Sequence, residues 1–160
     1  MTWLALRSVF WTFVLPGTMA FYIPVMFFGL GRLRLEMLGL AQLPGLVCFA
    51  IGIALLIMTI VEFARSGRGT LSPLDPPREL VVRGLYRYVR NPMYAAVVMI
   101  ILGEAMVLRS AALALYLVIW FAMVNLFVMG YEEPTLRRTF GASYDAYARR
   151  VGRWIPHVPR

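Results

Sequence analysis

The residues with the most chemical potential lie in the stretch RGLYRYVRNPMY, Arg83–Tyr94. Asn91 suits a helix N-cap and Pro92 suits the first helical position, so a helix is expected to begin there. The unpaired N–H groups of such an end attract an anion, and Arg87 and Arg90 add positive charge beside them. Tyr86, Tyr88 and Tyr94 supply flat faces with polar tips. Two readings are open: a site for an anionic group, or an interfacial tyrosine–arginine anchor at the end of a membrane helix.

A second chemical feature is Glu132-Glu133-Pro134. Two adjacent carboxylates close an apolar run, where the helix macrodipole disfavours negative charge. Either arginines compensate them, such as Arg137 or those of the middle segment, or one carboxylate holds a cationic ligand group. Asn125 lies about two helical turns before Glu132, so the two share a face that could line a cavity. The third feature is the tail. Pro134–Phe140 reads as a short helix stopped by Gly141, and Ser143 as the N-cap of a helix over Tyr144–Val151. Tyr144, Tyr147 and Val151 form one face; Arg149, Arg150 and Arg153 form a basic one. An amphipathic helix on the membrane surface and a lid over a ligand both fit this pattern.

The elements that must position these residues are membrane spans. Hydrophobic residues make up 61% of the 160-residue chain and charged residues 15%, against roughly 25% charged in a soluble domain. The expected fold is all-α and integral to the membrane, a single domain with about four transmembrane helices over 9–30, 43–64, 92–108 and 111–131. Pro16 and Pro24 predict a kink in the first, and Gly45 and Gly52 are close-packing points in the second. The two-residue break Arg109–Ser110 predicts a helical hairpin of the last two spans, followed by the amphipathic tail.

All sixteen basic residues are arginines, and the net charge is +8. They flank apolar runs, so they are read as the usual positive bias of membrane proteins rather than as a nucleic-acid surface. With four spans, thirteen arginines fall on the side of the N-terminus, the middle segment and the tail, and three on the other. Both termini are therefore expected in the cytoplasm, and a bacterial inner membrane is the expected location. The lone Cys48 excludes an internal disulfide, and together with the single His157 it excludes a thiolate or histidine-cluster metal site. No cleavable signal peptide is evident. Glu104, inside the third span, is either functional or, on the preferred reading, snorkels or pairs with Arg109.

GLYRYVRNPMY (Gly84–Tyr94), the hairpin, Glu132-Glu133, FGASYDAY (Phe140–Tyr147) and the final WIP (Trp154–Pro156) together resemble the isoprenylcysteine carboxyl methyltransferase family. The wider group includes membrane phospholipid methyltransferases. The resemblance covers residues 75–156 and leaves the first two spans without a signature. It implies an enzyme that uses S-adenosylmethionine, held between segments 75–94 and 132–156, and a lipophilic methyl acceptor reached from the bilayer. Carried over by position, Arg78, Glu79, Leu80 and Val81 pass the cofactor, largely through backbone atoms. Tyr86 packs on it, Asn91, Pro92, Met93 and Tyr94 match the family's His-Pro-X-Tyr element, and Glu132 matches its cofactor-binding glutamate. Two positions depart from the pattern. Asn91 replaces a histidine and cannot act as a general base, so no general base is named. Val128 stands where the family carries an arginine for the acceptor's carboxylate. A membrane reductase using a reduced nicotinamide cofactor and a small non-enzymatic membrane protein are the competing readings. Oligomeric state is left open.

Overall fold

The computed structural model describes residues 13–28, 39–66 and 79–156. Within them every regular element is helical. A π-helical run, Phe13–Tyr22, holds Pro16 and leads into α1, Ile23–Phe27. The wider π turn tolerates a residue without an N–H, the source of the irregularity expected of the first span. The rest of that expected span, 9–12 and 29–30, lies outside the described residues.

A 3-10 turn, Leu40–Gln42, opens α2, Leu43–Ser66. The side-chain carbonyl of Gln42 accepts from the Gly39 N–H at 3.1 Å and closes the entry. α3 runs Pro92–Leu108 and α4 runs Ala111–Phe127. Arg109 adopts the left-handed conformation (φ 49°), which ends α3, and the Ser110 hydroxyl accepts from the Leu113 N–H at 3.2 Å, which starts α4.

α4 passes without a break through a π turn, Val128–Glu132, into α5, Glu133–Phe140. Pro134 explains the π turn: it offers no N–H to the carbonyl four residues back, and its ring presses on that carbonyl. The extra width shifts Glu132 in register relative to the apolar side of α4. Gly141, at φ +52°, then turns the chain into α6, Ala142–Arg150. α6 therefore starts one residue before Ser143, which is not its N-cap.

α2 and α3 form the most extensive helix pair. Small residues at a helix contact let the two backbones approach closely. The expected close-packing glycines do this. A Cβ on Gly52 would lie 2.8 Å from the Ile100 N atom, and one on Gly45 3.0 Å from the Gly103 carbonyl oxygen. Gly103 returns the contact from α3, with its virtual Cβ only 2.6 Å from the Phe49 N atom. Ala20, Leu56, Ala96, Val97, Ile100, Leu113 and Trp120 complete the interior. The Cys48 thiol points at the Met99 carbonyl oxygen, 3.4 Å away.

Among the described residues, two helical stretches are long and apolar enough to cross a membrane, Leu40–Glu62 and Ala111–Phe140. Only 22% and 17% of their most apolar windows are buried within the chain. Apolar side chains such as Val47, Met58, Val118 and Leu126 instead face outward. That is the pattern of helices solvated by lipid rather than of a water-soluble core. α3 is apolar but shorter, at 17 residues.

Glu104 differs from the sequence-based expectation. It neither snorkels nor pairs with Arg109: it is 1% exposed, and both carboxyl oxygens lack a hydrogen-bond partner.

Candidate functional site

The loop before α3 is shaped by two local constraints. Gly84 takes φ +54°, open to glycine at little cost, and starts the 3-10 turn Gly84–Arg87. A Cβ there would lie 2.9 Å from a carboxylate oxygen of Glu62 at the end of α2. The loop thus sits directly on that carboxylate. After the turn, Val89 bridges Gly152 in parallel, and the Arg90 N–H donates to the Gly152 carbonyl at 2.9 Å. The chain then enters α3 at Pro92.

The tail docks on this loop through its apolar face. Tyr144 and Val151 are buried at 1% and 6% exposure. The Tyr147 hydroxyl donates to the Tyr86 carbonyl at 2.7 Å. The Asn91 amide donates to the Arg153 carbonyl at 3.3 Å. Asn91 occupies the N-cap position of α3 but makes no side-chain cap bond. Its amide goes to the tail instead, so the first turn of α3 is left without a capping side chain.

The two adjacent carboxylates have different partners. Glu132 accepts from the Tyr94 hydroxyl at 3.2 Å, across from α3. Glu133 faces Arg90 at 2.9 Å and takes a two-point contact from Arg153, at 2.7 and 2.8 Å. Arg137, one of the expected partners, instead pairs with Asp145 at 2.7 Å. The positive charge of Arg90 is therefore committed to Glu133 rather than offered to an anion at the end of α3, and the Arg87 guanidinium lies over the Tyr88 ring. Arg153, expected on the tail's basic outer side, turns inward.

Aromatic rings surround the Tyr94–Glu132 pair. Trp154 lies 6.4 Å from Tyr94 and 5.0 Å from Phe121, centroid to centroid, and Trp120 is 6.5 Å from Tyr94. The Trp154 indole donates to the Asn125 side-chain carbonyl at 2.9 Å. The Asn125 side chain is thus engaged by the tail's tryptophan. Desolvation, reinforced by the charge of Glu132, pushes the Tyr86 phenol above its usual range. Desolvation does the same to Tyr147. Both remain neutral hydrogen-bonding groups at any physiological pH.

Of the sequence-predicted site residues, Arg78 lies outside the described residues. Glu79 is exposed, Leu80 half-buried and Val81 buried at the start of the loop. Tyr86, Asn91, Pro92, Met93, Tyr94 and Glu132 gather where the loop, the first turn of α3 and the end of α4 meet the tail. Sequence reasoning did not assign Tyr147 to the Tyr86 carbonyl, Arg153 to Glu133, or Glu62 to Gly84. The only forewarning was the pair of carboxylates at a helix C-terminus, which requires compensation.

The arrangement suits a ligand with a cationic part: the Glu132 carboxylate is held by the Tyr94 hydroxyl, and the Trp154 ring packs against Tyr94. A sulfonium or ammonium group is attracted by both features. Among the described residues no group of acids, cysteines or histidines could hold a metal ion.

A family model described as phospholipid methyltransferase matches residues 40–143. A probable protein-S-isoprenylcysteine O-methyltransferase of Oryza sativa subsp. japonica is 28% identical over 117 residues, covering 71% of this chain and 60% of its own length. Protein-S-isoprenylcysteine O-methyltransferase B of Arabidopsis thaliana is 32% identical over 82 residues, 50% of this chain and 41% of its own. The Schizosaccharomyces pombe protein-S-isoprenylcysteine O-methyltransferase is 35% identical over 82 residues, 50% and 34% respectively. The chain thus spans at most 60% of the length of these relatives, all eukaryotic, and they lend a bacterial source no support. No solved structure shows significant similarity to the chain.

Proposed function

We propose that this chain, which belongs to the phospholipid methyltransferase family, transfers a methyl group from S-adenosylmethionine to a lipophilic acceptor at a membrane interface. The observation that carries this reading is the meeting of Tyr94 and Glu132, 3.2 Å apart, inside a ring of aromatic side chains that the tail completes. S-adenosylmethionine supplies, when bound, a methyl group already activated on a sulfonium.

The chain's own residues then have to bind, orient and exclude water. Glu132 offers negative charge to the donor's cationic part, and the Tyr94 hydroxyl holds that carboxylate in place. The rings of Tyr94 and Trp154 give apolar faces on which a cation is favoured. On the resemblance, Glu79, Leu80 and Val81 pass the donor with their backbone groups, and the neutral Tyr86 phenol packs on it. Holding two reactants in good alignment can lower a barrier by roughly 7–11 kcal/mol without any proton transfer. An ionised carboxylate or thiolate acceptor needs no general base, and Asn91 supplies none.

The lipophilic acceptor is of isoprenylcysteine type or a related lipid, entering from the bilayer side. Val128, at the position where an acceptor-carboxylate arginine is expected by resemblance, is fully buried and apolar. A carboxylate acceptor must therefore find its counter-charge elsewhere. The reading includes four spans, with the loop, the tail and both termini on the cytoplasmic face, in keeping with the arginine distribution.

Calorimetry of the purified full chain with S-adenosylhomocysteine tests the donor. Binding is expected, and loss of binding in Glu132→Ala. Stabilisation by a reduced nicotinamide cofactor alone would overturn the reading. Membranes incubated with methyl-labelled donor, followed by mass spectrometry of lipid and aqueous extracts, identify the acceptor.

A further inference from the structure

Glu132 and Glu133 are neighbours in sequence but turn to different partners. Glu132 faces Tyr94 on α3. Glu133 opens α5 and sits where that helix meets the loop before α3 and the strap after α6, residues 151–156. It is buried to 9% exposure. A carboxylate so placed is tolerated only with opposite charge and hydrogen bonds around it. Arg153 supplies a planar two-point contact to both oxygens, and Arg90 a single point to Oε1. The same Arg90 nitrogen reaches the Tyr144 hydroxyl at 3.4 Å. Beside this cluster run the Val89–Gly152 bridge, the Asn91 bond to the Arg153 carbonyl and the Tyr147 bond to the Tyr86 carbonyl.

We propose that Glu133 is a positioning residue for the methyl donor: with Arg90 and Arg153 it forms a clasp that fixes the tail against the loop, and so sets Tyr86, Tyr94 and Trp154 around Glu132. The role rests on the methyl-donor reading above. Two guanidinium groups converge on one carboxylate. Neutralising that carboxylate leaves them facing each other unscreened at low exposure, which drives the strap away from the loop. The two arginines also contribute unequally. Arg153 uses its flat fork, which lysine cannot reproduce. Arg90 uses one nitrogen, and its Nε is buried without a partner, so an ammonium at that position keeps the contact and strands no N–H.

The test measures S-adenosylhomocysteine affinity of the full chain in detergent or nanodiscs, with hydrogen exchange on the same samples. Glu133→Gln is expected to weaken binding about tenfold or more, the scale of a lost charge-assisted contact. Its amide exchange should speed up over 85–91 and 145–152, and not over α2 and α3. Arg153→Lys should lose affinity as Glu133→Gln does, while Arg90→Lys should lose clearly less. Arg153→Lys also carries the test if Glu133→Gln fails to fold. Wild-type protein that binds no S-adenosylhomocysteine overturns the methyl-donor reading and the positioning role with it. Wild-type binding with Glu133→Gln or Arg153→Lys within twofold of it overturns the positioning role alone. So does equal loss of affinity in the two lysine variants, or faster exchange throughout α2 and α3.

Discussion

The Tyr94 hydroxyl donates to Oε2 of Glu132 at 3.2 Å, joining the first turn of α3 to the π turn at the end of α4. The two residues lie 38 positions apart in sequence. Their meeting depends on Pro92 starting α3 and on Pro134 widening the turn that carries Glu132. Tyr94→Phe removes the donor but keeps the ring. It should weaken S-adenosylhomocysteine binding by about 1.5–3 kcal/mol, the scale of one hydrogen bond to a charged acceptor. Glu132→Gln should cost more, because it also removes the negative charge. Isothermal titration of both variants decides the order; a larger loss in Tyr94→Phe would remove Glu132 from the centre of the site.

The glycine contacts between α2 and α3 predict a sharp contrast in stability. A methyl group on Gly103 meets backbone atoms of Phe49 and Gly45 at 2.6 and 2.7 Å, so the helices must separate to admit it. Gly103→Ala should destabilise the fold by about 1–3 kcal/mol, the usual penalty of overpacking. Gly130, within the π turn, has nothing within 4 Å of a virtual Cβ. Gly130→Ala should be neutral or slightly stabilising. Thermal unfolding in detergent separates the two, and equal midpoints would show that the helices do not pack this closely.

Much of this framework is legible in the sequence because it depends on local chemistry. Pro92 marks the start of α3, Arg109–Ser110 the break before α4, and Gly141 the stop of α5. Gly45 and Gly52 are small residues in an apolar run, a pattern with few other uses. The site is legible only in part, since its contacts join residues from distant segments. Nothing about Asn91 alone says whether its amide caps its own helix or reaches Arg153. The periodicity of the tail assigns Arg153 to a solvated face, but the chain leaves the helix at Val151, and helical spacing no longer applies there. The π turn at Val128–Glu132 is likewise set by Pro134, which sequence reading uses only as a boundary.

Glu104 gives a prediction of opposite sign to most substitutions. Its carboxyl group is buried, with neither oxygen hydrogen-bonded. Burial of an unsatisfied polar group costs about 1–3 kcal/mol. Glu104→Leu should therefore raise the unfolding midpoint while leaving S-adenosylhomocysteine affinity unchanged. A marked loss of stability would show that the carboxyl group has a partner in the membrane-embedded protein.

Trp154 offers a direct optical report on the site. Its indole N–H is held by Asn125 at 2.9 Å and its ring packs against Phe121 and Tyr94. A ligand seated beside Glu132 and Tyr94 must alter the surroundings of that ring, so S-adenosylhomocysteine should change the tryptophan emission. Trp154→Phe keeps an aromatic ring for packing but removes both the N–H and the tryptophan that the tail brings to Tyr94. The ligand-dependent change should fall by more than half in this variant, and affinity should drop by about 1 kcal/mol as the Asn125 carbonyl loses its donor. Trp120 also neighbours Tyr94, at 6.5 Å, but it lies deeper, at 6% exposure. A ligand response carried wholly by Trp120 would put the ligand on the membrane side of Tyr94 rather than under the tail.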